Sequence, residues 1–270
     1  MAQVAIASKQ NERIKQIRKL YTRKFRKSEG LFVAEGIRLV EELVKTLMVE
    51  QVFFAESFIV NPRGQALLKT VHKAGIPSFS CTEEVFSHVC DTKNAQGVLA
   101  VVRKPEPCLD WSHQGNRPQD FILIVDQVQD PGNLGTILRT AVAAGVTGIW
   151  IIGSTVDVFS PKVIRSSMGS IFHLPYVTLT TQECLTKCQE LGLKLIATDV
   201  HGGVEHYNCS LLVDAMALVV GNEGNGVSPL LLEHSDQRIY IPLANDVESL
   251  NVAVATAVLL YETVRQRAFR

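Results

Sequence analysis

The sequence lacks any apolar run that approaches the roughly 18 residues of a membrane-spanning helix. It also lacks, at its first residues, the charged start and long apolar core of a signal peptide. These absences argue against a membrane protein and a secreted one. We therefore expect a cytoplasmic protein without a membrane partner, and an organellar location stays open.

Three common catalytic and nucleotide-binding motifs are also absent. There is no G-x-x-x-x-G-K-[ST] phosphate loop, no G-x-G-x-x-G between an early strand and its helix, and no G-x-S-x-G elbow. These absences argue against a P-loop NTPase, an ordinary dinucleotide-binding or Rossmann-type enzyme, and an α/β-hydrolase.

The cysteines are scattered, and none forms a C-x-x-C pair, so we expect no metal site. Cys184 and Cys188 have the spacing of two residues on one helix face, which favours a half-buried helix over a ligand pair. Free thiols are typical of a reducing compartment. We therefore do not expect metal-dependent catalysis.

The composition is that of a globular α/β protein: 270 residues, 46% hydrophobic and 20% charged. Alternating strand and helix patterns over residues 1–104 predict a smaller N-terminal α/β domain. Residues 105–120, rich in proline and polar side chains, predict a linker. The continuous apolar run Phe121–Val125 then indicates a strand buried on both faces of a parallel sheet, within a second α/β domain over residues 121–270.

Charge is unevenly distributed although the net charge is zero. Residues 1–30 hold nine Lys and Arg side chains against two Glu, a net charge of +7. Apolar residues at helical spacing predict one amphipathic basic helix over residues 11–27. Tyr21 and Phe25 could stack on bases, although the core stripe is the favoured interpretation. The pattern suggests a nucleic-acid contact, with a solvated basic face as the alternative. The proposed backbone contacts are Arg13, Arg18, Arg23, Lys24 and Arg26.

Two apolar strands near the C-terminus each run into a polar loop. The first loop, Gly221–Ser228, consists mostly of Gly, Asn and Glu, and the second, Pro242–Leu250, precedes a long helix predicted from Asn251 to about residue 267. Strand ends of this kind bind ligands in open α/β sheets. The alternative is two ordinary turns plus a helix N-cap at Ser249 or Asn251.

A second candidate lies after Phe121–Val125, where a polar loop opens a helix that carries Arg139. Helical side chains lean toward the N-terminus, so Arg139 is expected to point toward that loop and to hold an anion. The alternative is a salt bridge with a loop aspartate. Lys162 and Arg165 lie on a further helix opened by Ser160 and Pro161, and they could face an anionic substrate or merely be solvated.

Three segments taken together are far more specific than any one of them. They are Asn133-x-Gly135-x-x-x-Arg139, Gly221-Asn222-Glu223-Gly224, and Ile241-Pro242 followed by Glu248-Ser249-Leu250-Asn251-Val252. In this order they resemble the SpoU (TrmH) family of RNA ribose 2′-O-methyltransferases. The N-terminal stretch is similar to that family's substrate-binding domain through residues 32–36 and 96–100.

The resemblance implies a trefoil-knotted parallel-sheet domain, S-adenosylmethionine as cofactor, RNA as substrate and a homodimer. It implies a catalytic set, Asn133, Arg139, Glu223, Ser249 and Asn251, and a cofactor-binding set, Thr198, Gly221, Ile241 and Leu250. Arg139 would act as a base or as a phosphate clamp. Ribosomal RNA is the favoured substrate, with transfer RNA, a base nitrogen, or a non-catalytic RNA-binding factor as alternatives.

Overall fold

A computed structural model describes residues 5–46, 48–92, 94–108, 120–213, 215–245 and 247–268, with only the backbone of residues 211 and 213. The chain divides into two compact units: residues 1–105 with 159–169, and residues 106–158 with 170–270. Most of the predicted linker, residues 109–119, lies outside the described residues. Residues 159–169 depart from the expectation, because they group with the first unit although the sequence places them among the strands of the second.

The first unit is built on a four-stranded mixed sheet in the order β1-β4-β2-β3. Its strands are β1 (Leu31–Glu35), β2 (Val49–Ala55), β3 (Ser78–Cys81) and β4 (Val98–Arg103). Strand β4 runs antiparallel to both neighbours, and β2 and β3 run parallel. The helices of residues 1–105 are α1 (Glu12–Leu20), α2 (Arg23–Glu29), α3 (Ile37–Leu43), α4 (Pro62–Lys73) and α5 (Glu83–Val89).

The basic N-terminal segment forms two helices where one was predicted. The chain leaves the helical conformation at Thr22, whose φ and ψ are −95° and 135°. Before that break, Asn11 caps α1 by accepting a hydrogen bond from the Arg13 N–H. The apolar face of α1 is buried in the core, and Tyr21 and Phe25 pack against the same cluster. This confirms the core interpretation of the two aromatic residues.

Arg26 departs from the expected RNA-contacting set. Its side chain is buried, with 3% exposure, and Nη1 donates a 2.8 Å hydrogen bond to the Leu20 carbonyl at the end of α1. A guanidinium that satisfies a helix C-terminus in this way is not presented to a phosphate. The other four cations are exposed, and the Arg13 guanidinium lies 4.3 Å from the centre of the Phe79 ring.

The second unit is built on a seven-stranded parallel sheet in the order β7-β6-β5-β10-β8-β11-β9. Its strands are β5 (Phe121–Asp126), β6 (Gly148–Ile152), β7 (Tyr176–Leu179), β8 (Lys194–Thr198), β9 (Val204–Glu205), β10 (Met216–Val220) and β11 (Gln237–Tyr240). Every residue of β5, β6 and β10 is buried, as the apolar runs predicted for strands covered on both faces.

Helices flank this sheet, and the C-terminal helix packs against the helix that follows β5. They are α6 (Pro131–Ala143), α8 (Thr181–Glu190), α9 (Pro229–Glu233) and α10 (Val252–Ala268), while α7 (Pro161–Ser166) belongs to the first unit. Thr180 and Glu183 form a capping box at α8, which fixes where that helix begins. Among the described residues, no helix is long and apolar enough to cross a membrane.

Candidate active site

The candidate site lies at the edge of the seven-stranded sheet where the parallel strands end. Strands β5 and β10 are neighbours at the centre. From β5 the chain continues through β6 to β7 on one side of β5. It then crosses to the other side of β5 and forms β8, β9, β10 and β11, of which β10 lies directly beside β5. The crevice beside β5 and β10 is therefore the topological switch point, the place where open α/β sheets bind ligands.

Glu223 connects the loop after β10 to the loop after β5. Its Oε1 accepts hydrogen bonds from the Asp130 N–H at 3.1 Å and from Asn133 Nδ2 at 3.0 Å. Its Oε2 accepts a bond from the Gln129 N–H at 3.2 Å. One carboxylate thus holds both the backbone before α6 and a side chain of its first turn.

Asn251 joins this cluster from the start of α10. Its Nδ2 donates to Asn133 Oδ1 at 2.9 Å, while its Oδ1 accepts from the Ala253 and Val254 N–H groups and so caps α10. The structure therefore brings together Asn133, Glu223 and Asn251 from three segments far apart in the sequence. We refer to these three residues as the site triad.

Hydrogen bonding decides the charge state of Glu223. Burial opposes ionisation, but hydrogen bonds from Asn133 and from the backbone of Glu223, Asp130 and Gln129 together hold the pKa of the Glu223 carboxyl below its usual value. Glu223 is therefore an ionised acceptor at neutral pH.

The loop Gly221–Ser228, which we call the Gly221 loop, owes its shape to tight backbone packing. A Cβ on Gly221 would lie 2.2 Å from the Gly226 carbonyl carbon, so no other residue fits without displacing backbone. Asn222 closes the same turn, because its Oδ1 accepts from the Gly224 and Asn225 N–H groups and its Nδ2 donates to the Gln127 carbonyl. The loop is thus held against the end of β5 before any ligand arrives.

Three of the cofactor-binding candidates follow neighbouring strands at this edge. Thr198 ends β8, Gly221 follows β10, and Ile241 follows β11, and the three strands are adjacent in the order β10-β8-β11. The fourth candidate, Leu250, lies in the loop before α10 and is 37% exposed, close to the exposure of Leu243 at 38%. Exposed aliphatic side chains in this loop suit the flat faces of an aromatic ligand.

Backbone groups of the same loop are available to a ligand. Within the described part of residues 241–250, the backbone hydrogen bond present is the one from the Val247 N–H to the Ala244 carbonyl. Ser249 is exposed, and its side chain makes no hydrogen bond to any described residue. The structure therefore leaves Ser249 outside the site triad.

Arg139 is exposed on α6 and makes no hydrogen bond or ion pair with any described residue. The alternative of a salt bridge with a loop aspartate is wrong for the described residues, and Asp130 instead caps α6 through the Asn133 N–H. Arg139 is six residues beyond Asn133, about 9 Å along the helix axis. Arg139 thus lies nearly two helical turns beyond Asn133 and is not a member of the site triad.

Asp126 is a site residue that the sequence reasoning missed. It ends β5, is fully buried, and its Oδ2 accepts a 2.7 Å hydrogen bond from the Ser228 N–H. This bond fixes the far end of the Gly221 loop against β5. An aspartate that closes a wholly apolar strand is the signal that could have identified it.

Comparison with known protein families finds two matches in separate parts of the chain. The family described as SpoU rRNA Methylase matches residues 120–261, and an MRM3-like substrate binding domain matches residues 11–100. The chain is 35% identical to the Bacillus subtilis 23S rRNA (guanosine(2553)-2′-O)-methyltransferase RlmP over 95% of this chain and 97% of that protein.

Solved structures extend the similarity to the fold. An AdoMet-bound rRNA methyltransferase from Sinorhizobium meliloti is 29% identical with a TM-score of 0.86, and 97% of each chain is covered. A TrmH/SpoU tRNA modifying enzyme from A. aeolicus is 30% identical with a TM-score of 0.51, and it covers 57% of this chain and 79% of its own. By sequence and by structure, this chain belongs to the SpoU rRNA methylase family.

Proposed function

We propose that this protein transfers a methyl group from S-adenosylmethionine to the 2′-hydroxyl of a ribose in ribosomal RNA. The observation that carries the proposal is the site triad, in which Asn133, Glu223 and Asn251 join three loops at the switch point of the sheet. Membership of the SpoU family and the similarity to a 23S rRNA 2′-O-methyltransferase over nearly the whole chain support it.

The cofactor fits the edge formed by β10, β8 and β11. Backbone groups near Gly221, Ile241 and Leu250 would hold its adenine, and the aliphatic side chains of Ile241 and Leu250 would cover the ring, with Thr198 beside it. When bound, S-adenosylmethionine would supply an electrophilic methyl group: the ribose oxygen would bond to the methyl carbon as its bond to sulfur breaks, the thioether would leave, and the hydroxyl proton would pass to water.

The chain's own part in this reaction is to position the ribose. Arg139 carries an exposed guanidinium that makes no hydrogen bond or ion pair with any described residue, and its planar fork of donors matches a phosphate. We therefore assign Arg139 to clamping the phosphate beside the target ribose and orienting its hydroxyl. Asn133, Glu223 and Asn251 fix the loops that receive the nucleotide, since positioning supplies much of the acceleration of such a displacement. Ser249 completes the polar loop facing it.

A homodimer is part of the proposal, and the surface of α10 supports it. Val254, Val258 and Tyr261 are 51%, 37% and 52% exposed, and their i, i+4, i+7 spacing forms one apolar stripe. A stripe of this kind suits a second copy of the same helix. The trefoil knot and a cytoplasmic location are further parts of the proposal, which rest on the family and on the RNA substrate.

Ribosomal RNA is favoured over transfer RNA by the extent of the similarity. The rRNA methyltransferases named above match nearly all of this chain, including its first unit. The tRNA modifying enzyme covers 57% of it. The similarity of the rRNA methyltransferases thus extends over residues 11–100, the part of this chain that matches a substrate binding domain, and this supports ribosomal RNA as the substrate.

A methyl-transfer assay with labelled S-adenosylmethionine and ribosomal RNA tests the proposal. We expect incorporation that blocks alkaline cleavage at one phosphodiester, because a 2′-O-methyl group removes the nucleophile for that cleavage. Label that leaves the chain cleavable would indicate a base nitrogen, and RNA binding without transfer would indicate a non-catalytic factor. Either result contradicts the proposal.

A further inference from the structure

A cavity of about 750 Å³ lies wholly within the first unit, and its lining includes no residue of the site triad. It is lined by the start of α3, the loop before β4, the start of α4, and the segment α7 from residues 159–169. Its volume falls within the range of about 300–1,000 Å³ typical of small-ligand sites. We refer to it as the α7 cavity.

The lining combines an apolar surface with amide side chains, one of which has no hydrogen-bond partner among the described residues. Phe58 and Ile164 are buried in its wall, and Met168 is 45% exposed. Asn94 is exposed and makes no hydrogen bond to any described residue. Apolar walls with a few amides are what a nucleobase requires, since its faces are apolar and its edges carry donors and acceptors.

Two of the cavity's arginines are already paired. Arg63 forms a bidentate pair with Glu41 at 2.8 and 2.5 Å, and Arg165 Nη2 bonds Asp91 at 2.8 Å. Arg38 differs, because it is exposed and makes no hydrogen bond or ion pair with a described residue. Among the described arginines that line the cavity, Arg38 is therefore the one available to a phosphate.

One further feature of the lining points to a ligand. Met168 has a φ of 53°, a left-handed conformation that is uncommon for a residue with a side chain and that recurs at ligand sites. Met168 belongs to residues 159–169, which group with the first unit although they lie between two stretches of the second unit in the sequence.

We propose that the α7 cavity binds one unpaired nucleotide of the RNA substrate, with the base against Phe58 and Met168 and the phosphate on Arg38. This inference rests on the proposed function for the identity of its ligand. It adds a second recognition point, distinct from the basic helices α1 and α2, that reads single-stranded RNA. Unpaired bases are what sequence-specific RNA recognition mostly targets.

Binding of two RNA probes to the full chain tests this inference, and the full chain is needed because the cavity uses residues distant in sequence. The probes are a hairpin with an unpaired loop and a duplex of the same length without one. We expect Arg38→Ala to weaken hairpin binding about tenfold, to lower its salt slope by about 0.7, and to leave duplex binding within about twofold. Lys69→Ala, an exposed cation of α4 outside the cavity lining, is the matched control and should change neither.

A second variant tests the cavity at a residue other than Arg38. Met168→Glu places a carboxylate at the cavity mouth and should abolish the preference for the hairpin, with an unchanged melting temperature. Equal loss on both probes, or no loss with either variant, would overturn the inference. A methyl-transfer assay distinguishes the failure of this inference from the failure of the proposed function. If the wild type is active and the variants bind both probes normally, the cavity inference alone is refuted. If the wild type is inactive but still prefers the hairpin, the proposed function alone is refuted.

Discussion

Replacing Glu223 by Gln should loosen the whole candidate site, because this carboxylate accepts bonds from Gln129, Asp130 and Asn133. The substituted amide keeps one acceptor oxygen but turns an NH₂ group toward N–H donors. A hydrogen bond to a charged group contributes about 1.5–3 kcal/mol. Since Glu223 is exposed, water screens part of this, and we expect a loss of about 1–2 kcal/mol.

Thermal unfolding and steady-state kinetics measure the effect. The melting temperature should fall by about 3–6 °C for a domain of this size. Turnover should fall about ten- to a hundredfold, because Asn133 and Asn251 lose their support. Glu233→Gln, which removes an exposed carboxylate on α9, is the matched control and should leave both quantities unchanged.

The pH dependence supplies an independent check on the same residue. The folded state lowers the pKa of the Glu223 carboxyl below its ordinary value of 4.5. Its contribution to stability is therefore fully present above that value and is lost as the pH falls through the lowered pKa. The stability gap between wild type and Glu223→Gln should be constant near neutral pH and close below about pH 4.5. A variant with wild-type melting temperature and turnover at pH 7 would refute the reasoning.

Three further predictions concern other parts of the chain. Arg139→Ala should leave S-adenosylmethionine affinity nearly intact and lower the rate of single-turnover methylation about a hundredfold or more. Arg139→Lys should not restore this rate, because a lysine lacks the planar fork of donors. A normal rate in Arg139→Ala would reject the role assigned to Arg139. Arg23→Ala with Lys24→Ala should lower the salt slope of duplex RNA binding by about 1.8, measured against Lys69→Ala, and an unchanged slope would remove α2 from the RNA surface. Val258→Glu should halve the mass measured by light scattering, and an unchanged mass would exclude the α10 stripe from the dimer interface.

Point substitutions at Arg23 and Lys24 test RNA binding by the basic segment more cleanly than a deletion of that segment would. Ile14, Ile17 and Leu20 are buried in the core of the first unit, so a truncation would remove packing together with charge. Loss of RNA binding in such a truncated protein would not separate the two causes. The surface variants keep the core and change the charge alone.

Much of the second unit could be predicted from the sequence, because its strands are continuous apolar runs and its loops carry distinctive polar residues. The run Phe121–Val125 became β5 with one further residue, Asp126. The convergence of Asn133, Glu223 and Asn251 was also expected, since loops at the ends of parallel strands share one edge. In these places local pattern and tertiary packing favour the same structure.

The expectations failed where tertiary contacts decide the outcome. Nothing in the helical spacing of residues 11–27 marks the break at Thr22. The burial of Arg26 depends on a carbonyl that becomes available only because α1 ends nearby. The grouping of residues 159–169 with the first unit depends on contacts such as Arg165 with Asp91, which lie 74 positions apart. Contacts between residues so far apart in the chain cannot be predicted from the local sequence pattern.

Mapping of 2′-O-methyl groups in ribosomal RNA, from cells that contain or lack this protein, tests the central claim most directly. We predict that one ribose loses its methyl group when the protein is absent, that wild type restores it, and that Arg139→Ala does not. Ribose methylation that is identical in both cell types, or full restoration by Arg139→Ala, would contradict the account.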